Sequence, residues 1–368
     1  MDYDPAMLFD RLARPLLAHA GSTFDVAVVR IAQELAKRTS RRAQSPDERL
    51  AYLDRVAGMY ASVDRQEFFA APPPITRLKE TFVRDLPHGG VSDASYPSGW
   101  VPHVPELRDK YLRWKENDTA HVRLLRHATP RPAIVLIHGY RAGVFRFEER
   151  AWAARWFYDR GLDVALFTLP FHALRAPSAR RGTPLFPSAD VARTNEGFGQ
   201  AIWDLRALVA WLRARGAPSV GVAGMSLGGY TTALAATVEP SLAYAVPFIP
   251  VSDMTDIVVD HEALRGTVVP DALVEAGKRA MAIVRPLGRP PVLSGERVLV
   301  VAGENDRITA THHAEALARH FAARLVTFPG AHLLQFGRRK GFGEIAKFLA
   351  GLGIIERREE RAHPRVEL

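Results

Sequence analysis

The sequence predicts an α/β fold, a mostly parallel sheet with helices on both faces. Three observations predict it. From residue 75 onward, short β-rich runs alternate with helical patterns. Two of those runs, Ala133-Ile134-Val135-Leu136-Ile137 and Asp163-Val164-Ala165-Leu166-Phe167, are almost continuously apolar, as strands covered on both faces are. Finally, Gly224-Met225-Ser226-Leu227-Gly228 lies between the strand-like run 219–223 and a helix-like stretch beginning at Gly229. At such a junction Gly-x-Ser-x-Gly makes a tight turn. The residues two before and two after the serine must be tiny, and the serine oxygen is lifted clear of the sheet.

Taken in order, residues 1–74 read as a helical extension. Leu8, Phe9, Leu12, Leu16 and Leu17 recur at helical spacing, and further helical patterns run over 26–35 and 50–59. Ala71-Pro72-Pro73-Pro74 breaks the run and marks a boundary. The 8–17 stripe is read as packing on the main domain; its alternative is a membrane surface, since Arg11 and Arg14 lie beside it. The main domain is placed at 75–352. Strands are expected over 77–85 and 122–127, joined by a loop rich in Pro, Gly and Ser. Further strands are expected over 133–137, 163–167, 219–223, 242–249, 297–302 and 324–328. Helices are expected over 147–160, 196–213, 312–323 and 341–349. Residues 353–368 read as a charged, solvated tail.

Composition bounds the function. Of the 368 residues 47% are hydrophobic and 24% charged, which suits a globular protein with a sizeable core. There is no cysteine, so disulfides, thiolate nucleophiles and cysteine-ligated metals are excluded. The net charge is +9, but the basic residues (42 Arg and 7 Lys) are spread along the chain and interleaved with acids, so no nucleic-acid partner is expected. The acidic start Met1-Asp2-Tyr3-Asp4 is no secretory signal, and the longest apolar run, 242–251, is too short for a transmembrane segment. A cytoplasmic location is the expectation. The acceptor pattern Asn117-Asp118-Thr119 is read as chance.

Four motifs in one order resemble the α/β-hydrolase superfamily over about residues 77–352. They are His138-Gly139-Tyr140 after a buried strand, the elbow around Ser226, Gly303-Glu304-Asn305-Asp306-Arg307 after a strand, and Pro329-Gly330-Ala331-His332 after the next. The order Ser…Asp…His is that family's order. The resemblance implies Ser226 as nucleophile, His332 as general base and Asp306 as the carboxylate that orients it. It also implies an oxyanion hole from the N–H groups of Leu227 and Tyr140. Asp306 is preferred to Glu304 and Asp253, and its structural alternative is a helix N-cap. His138 is read as structural.

Other residues are weaker candidates. Met225, Arg141, His172 and Arg175 are possible substrate contacts; His172 and Arg175 lie on a loop beyond a strand end, where solvated arginines are the alternative. His312 and His313 are adjacent on a helix and expected to point in different directions, so no metal site is expected. No phosphate-cradling loop occurs and no cofactor is implied. Residues 252–293, rich in Ile, Val and Leu, read as a cap insertion over a hydrophobic or acyl-binding pocket. The expected function is a serine hydrolase that cleaves a carboxylic ester of a hydrophobic or acyl-bearing small molecule through an acyl-enzyme. Thioester, amide or C–C hydrolysis and acyl transfer stay open on the same residues, as does a non-catalytic binding module. The sequence leaves the oligomeric state undetermined.

Overall fold

A computed structural model of the chain describes residues 20–27, 44–180 and 184–356. The expected helix at 8–17, most of that at 26–35 and most of the charged tail lie outside these residues. A helix, α1, is described over 20–27. There follow α2 (Pro46–Tyr60), α3 (Arg65–Phe68), β1 (Lys79–Leu86), β2 (Gly89–Pro97), α4 (Arg108–Leu112), β3 (Thr119–His127) and β4 (Ala133–Ile137). Next come α5 (Phe145–Ala151), α6 (Ala154–Tyr158), β5 (Asp163–Phe167), α7 (Val191–Ala214), β6 (Val220–Met225), α8 (Leu227–Ala235) and β7 (Ala245–Phe248). The chain closes with α9 (Met254–Ala263), α10 (Asp271–Ala280), β8 (Leu299–Gly303), α11 (Thr311–Phe321), β9 (Arg324–Phe328) and α12 (Arg338–Gly351).

The strands form one sheet in the order β1-β2-β3-β5-β4-β6-β7-β8-β9. From β5 to β9 all neighbours are parallel, while β1, β2 and β3 add an antiparallel flank. The expected mostly parallel sheet with helices on both faces is therefore present. Alternation along the doubly covered strands builds both faces. Ala133, Val135 and Ile137 of β4 point to one core, shared with α2, α7, α8, α10 and α11. Ile134 and Leu136 point to the other, shared with α5, α6 and α12. Strand order reverses direction beside β4 and β6, the crevice where open parallel sheets bind ligands.

Three expectations needed correction. The stretch read as loop between the first two strands contains β2, whose Val91, Ser92, Ala94 and Tyr96 are buried. β2 is the middle strand of the flank, pairing with β1 on one side and β3 on the other. The helix expected over 147–160 is two helices, broken where Ala153 takes φ 48°. The strand expected over 242–249 is only β7, four residues long. At the free edge of the sheet β1 is exposed along nearly its whole length, and its register shifts between Phe82 and Arg84.

Candidate functional site

Ser226 follows the last residue of β6 and caps α8. Its φ and ψ are 56° and −113°, a strained conformation for a residue with a Cβ and one that concentrates at functional sites. The strand and helix flanking it almost touch. A Cβ on Gly224 would lie 2.0 Å from the Gly228 carbonyl oxygen, and one on Gly228 would lie 2.2 Å from the Ile137 carbonyl oxygen. Both obstacles are backbone, so only glycine fits either place. The Ser226 N–H donates to the Phe248 carbonyl (3.0 Å), tying the turn to the end of β7. Leu227 is the first residue of α8, so its N–H has no partner within the helix and sits at the positive end of the helix dipole.

The loop after β4 passes directly beside the serine. A Cβ on Gly139 would meet the Ser226 Cβ at 3.5 Å. Buried His138 holds this loop. Its Nδ1 donates to the Gly139 carbonyl (2.7 Å) and its Nε2 accepts the Leu169 N–H (3.0 Å). That pair of bonds fixes one neutral tautomer, and burial pushes the His138 pKa down to about 4. Gly143, at φ 104°, makes room for the ring: a Cβ there would lie 2.6 Å from His138 Nε2. Tyr140 and Arg141 form the exposed tip of the turn, with Arg141 at φ 61°.

Asp306 and His332 come together over the ends of β8 and β9. His332 Nδ1 lies 2.7 Å from Asp306 Oδ2, and both side chains are buried. Asp306 Oδ1 accepts the backbone N–H groups of Ile308 (2.9 Å) and Thr309 (2.7 Å), so one oxygen holds its own turn while the other faces the histidine. Thr309 Oγ1 is 2.8 Å from Asp306 Oδ2, 3.1 Å from His332 Nδ1 and 3.0 Å from the Ile249 carbonyl. Burial opposes a charge on His332. The Asp306 carboxylate, its hydrogen bond and the carboxylate of Asp25 outweigh burial, and the His332 pKa lies above its ordinary value. The rival acids are engaged elsewhere. Asp253 caps α9 through Thr255 N–H (2.8 Å) and pairs with Arg285 (2.5 Å); Glu304 is exposed and accepts from Thr327 Oγ1 (2.9 Å).

Other candidates fall differently. Arg175 is not a loop cation free to meet a ligand. It is fully buried, paired with Asp204 of α7 at 2.8 Å, and it donates to the carbonyls of Thr168 and Asn117. The Arg175–Asp204 pair joins the loop after β5 to α7. His172 is also fully buried, with its ring against Tyr140 at 5.9 Å and its pKa well below the ordinary value because of burial. Met225 is the buried last residue of β6. The adjacent His312 and His313 do not diverge as expected: both Nε2 atoms approach one Asp260 oxygen, at 3.1 and 3.0 Å. Among the described residues these three form the one group with metal-ligand spacing. His313 Nδ1 also lies 2.9 Å from Ser252 Oγ and 3.4 Å from the Ser252 backbone nitrogen, so both ring nitrogens face protein groups. The geometry is that of a histidine–aspartate pair linking α9 to α11.

One residue that sequence reasoning missed belongs to this site. Asp25 of α1 is fully buried and bonded to the histidine loop. An acid near the start of the chain carries no local signal of a partner some 300 positions away.

Sheet order, elbow and strand-end loops are those of the α/β-hydrolase fold. A family model described as alpha/beta hydrolase domain containing 18 matches residues 92–264. Two uncharacterized proteins, from two strains of Mycobacterium tuberculosis, are each 31% identical over 272 residues, covering 72% of this chain. That match spans 65% of those relatives' own length, a little under two thirds. Among solved structures, an acetyl xylan esterase of a Paenibacillus species is similar in fold, with TM-score 0.52 and 12% identity over 87% of this chain and 98% of that one. Acetyl xylan esterase 1 of a Thermoanaerobacterium species superposes with TM-score 0.49 and 15% identity, over 84% and 95% of the two chains. No helix among the described residues is long and apolar enough to cross a membrane.

Proposed function

We propose that the chain is a serine hydrolase acting on carboxylic esters with an apolar acyl group. The observation that carries this reading is the strained Ser226 on its elbow, at the same sheet edge as the buried Asp306–His332 pair. In the proposed cycle the Ser226 oxygen bonds to the ester carbonyl carbon while its proton passes to His332 Nε2. Asp306, on Nδ1, stabilises the imidazolium. The N–H groups of Leu227 and Tyr140 receive the charge that develops on the carbonyl oxygen. As the C–O bond breaks, His332 gives the proton to the departing alcohol. Water then attacks the acyl-enzyme, again losing a proton to His332, and the carboxylic acid leaves with Ser226 restored.

An apolar acyl group is supported by what surrounds that edge. Tyr140, Val144, Phe147, Leu174, Leu333 and Leu334 are exposed large hydrophobic residues, and all lie on segments that follow β4, β5 or β9. Residues 252–293 supply α9 and α10 beyond β7, and Val258 of α9 is also exposed. These side chains would wall a substrate held under the cap.

A fluorophosphonate probe should label the wild-type chain on the peptide containing Ser226 and leave Ser226→Ala unlabelled. Undiminished labelling of the variant would sink the assignment. Across p-nitrophenyl esters from acetyl to octanoyl, kcat/KM should rise with chain length. A steady fall from acetyl onward would remove the apolar acyl group from the proposal.

A further inference from the structure

We propose that Asp25 is a positioning residue for His332, and that α1 is therefore a working part of the catalytic base. This rests on the reading of His332 as that base. Asp25 is fully buried and accepts three backbone N–H groups from two loops. Oδ2 takes His332 N–H at 2.8 Å and Arg307 N–H at 3.3 Å, and Oδ1 takes Leu333 N–H at 3.1 Å. Arg307 is the neighbour of the orienting acid, and His332 is the base itself. One carboxylate thus clamps the loop of Asp306 to the loop of His332.

The rest of the α1 face supports the clamp. Ser22 Oγ donates to the Asn305 carbonyl at 2.9 Å, beside Asp306. A Cβ on Gly21 would lie 2.9 Å from the Ala331 Cβ, beside His332, so the helix backbone approaches the loop as closely as glycine permits. Ser22 and Gly21 lie three and four residues before Asp25, so both flank it on the same side of the helix. A buried carboxylate is costly unless it is hydrogen-bonded, and among the described residues the three N–H groups it accepts all come from the two loops.

Asp25 also sets charge. The titratable groups acting on the His332 ring are Asp306 beside it, Asp25 beneath its backbone, and His261 of α9, whose own charged form is disfavoured in part by His332. His261 is held by Nε2 to the Ile308 carbonyl at 2.9 Å. With two carboxylates against one imidazole, the protonated ring is favoured on balance. Removing the Asp25 charge should therefore make His332 easier to deprotonate while loosening its aim.

The test uses the full chain and three variants, Asp25→Asn, Asp25→Glu and Asp25→Ala. The His332 pKa is read directly by NMR titration of the imidazole in a Ser226→Ala background, where turnover plays no part. Asp25→Asn should lower it by about half to one unit. In the catalytically intact background, Asp25→Asn should cut kcat on a p-nitrophenyl ester about 10- to 100-fold with KM changed less than about threefold. Asp25→Glu, which keeps the charge, should retain more of the wild-type pKa and rate than Asp25→Asn. Thermal unfolding identifies any variant that fails to fold; loss of Asp25→Ala alone leaves the Asn and Glu comparison decisive. A His332 pKa moved by about 0.2 unit or less in Asp25→Asn, with kcat unchanged, would overturn the proposal. Persistence of wild-type turnover in His332→Ala would instead overturn the reading of His332 as base, a separate outcome.

Discussion

The two halves of the candidate site are seated in different ways. The serine half is built from backbone against backbone: Gly224 against Gly228, Gly228 against the end of β4, and Ser226 N–H on the end of β7. The residues that make it belong to the apolar strands β4, β6 and β7, the turn after β6 and the helix α8 that follows it. The histidine half is built from polar groups: Asp306 and Thr309 on the loop after β8 and Asp25 on a distant helix, all reaching His332. The first is held by steric exclusion, which tolerates no added atom. The second is held by hydrogen bonds, each worth about a kilocalorie net, so it can loosen step by step. A rigidly seated serine and an adjustably seated histidine follow from that difference.

The contrast can be tested by substitutions whose expected effects run from largest to smallest. Ser226→Ala should remove about 10⁵- to 10⁶-fold of kcat while leaving the melting temperature within a few degrees, read by ester turnover and calorimetry. Asp306→Asn should cost about 10³- to 10⁴-fold in kcat, because the imidazole loses the partner that fixes its tautomer. In the proposed cycle His332 must be neutral, so activity should fall as pH drops through a pKa raised above the ordinary 6.5, and Asp306→Asn should move that acid limb to lower pH. Gly228→Ala should act on folding instead of chemistry, costing about 3 kcal/mol or more in denaturant unfolding, since the methyl group meets backbone. Arg175→Met should cost a similar 3 to 5 kcal/mol by leaving Asp204 buried and unpaired, a result that would mark it as scaffold. Thr309→Val should be mildest, about 10-fold in kcat with about 1 kcal/mol of stability. If Gly228→Ala proves mild while Thr309→Val abolishes folding, the division between a steric half and a polar half fails.

The same division explains what could be read from the sequence. The elbow, the strands β4, β5, β6 and β8 and the helix α7 announce themselves through local pattern, since a strand buried on both faces must be apolar throughout; the half-buried edge strand β9 is legible from Leu325, Val326 and Phe328. Asp306 and His332 were legible because each follows a strand in a recognisable short motif. β2 was missed because its inward residues include Ser92 and Ala94, small side chains that carry little hydrophobic signal. Arg175 was misplaced because its partner is on another element. The clue was Asp204, an acid on the apolar face of α7 between Ile202 and Leu205. Asp25 gave no local clue: a carboxylate that satisfies backbone N–H groups from remote loops leaves no periodicity and no motif.

The register shift between Phe82 and Arg84 has a consequence for how copies of this chain behave in concentrated solution. β1 ends the sheet with its outer backbone groups open and with Phe82 65% exposed, a template on which a foreign strand could grow. A bulge there adds twist and breaks the regular spacing of the outward N–H and C=O groups. Lys79, Glu80, Arg84 and Asp85 spread charge along the same strand, with Arg84 bonded back to Glu149. A shifted register and charges of both signs make this margin a poor template for a regular added strand.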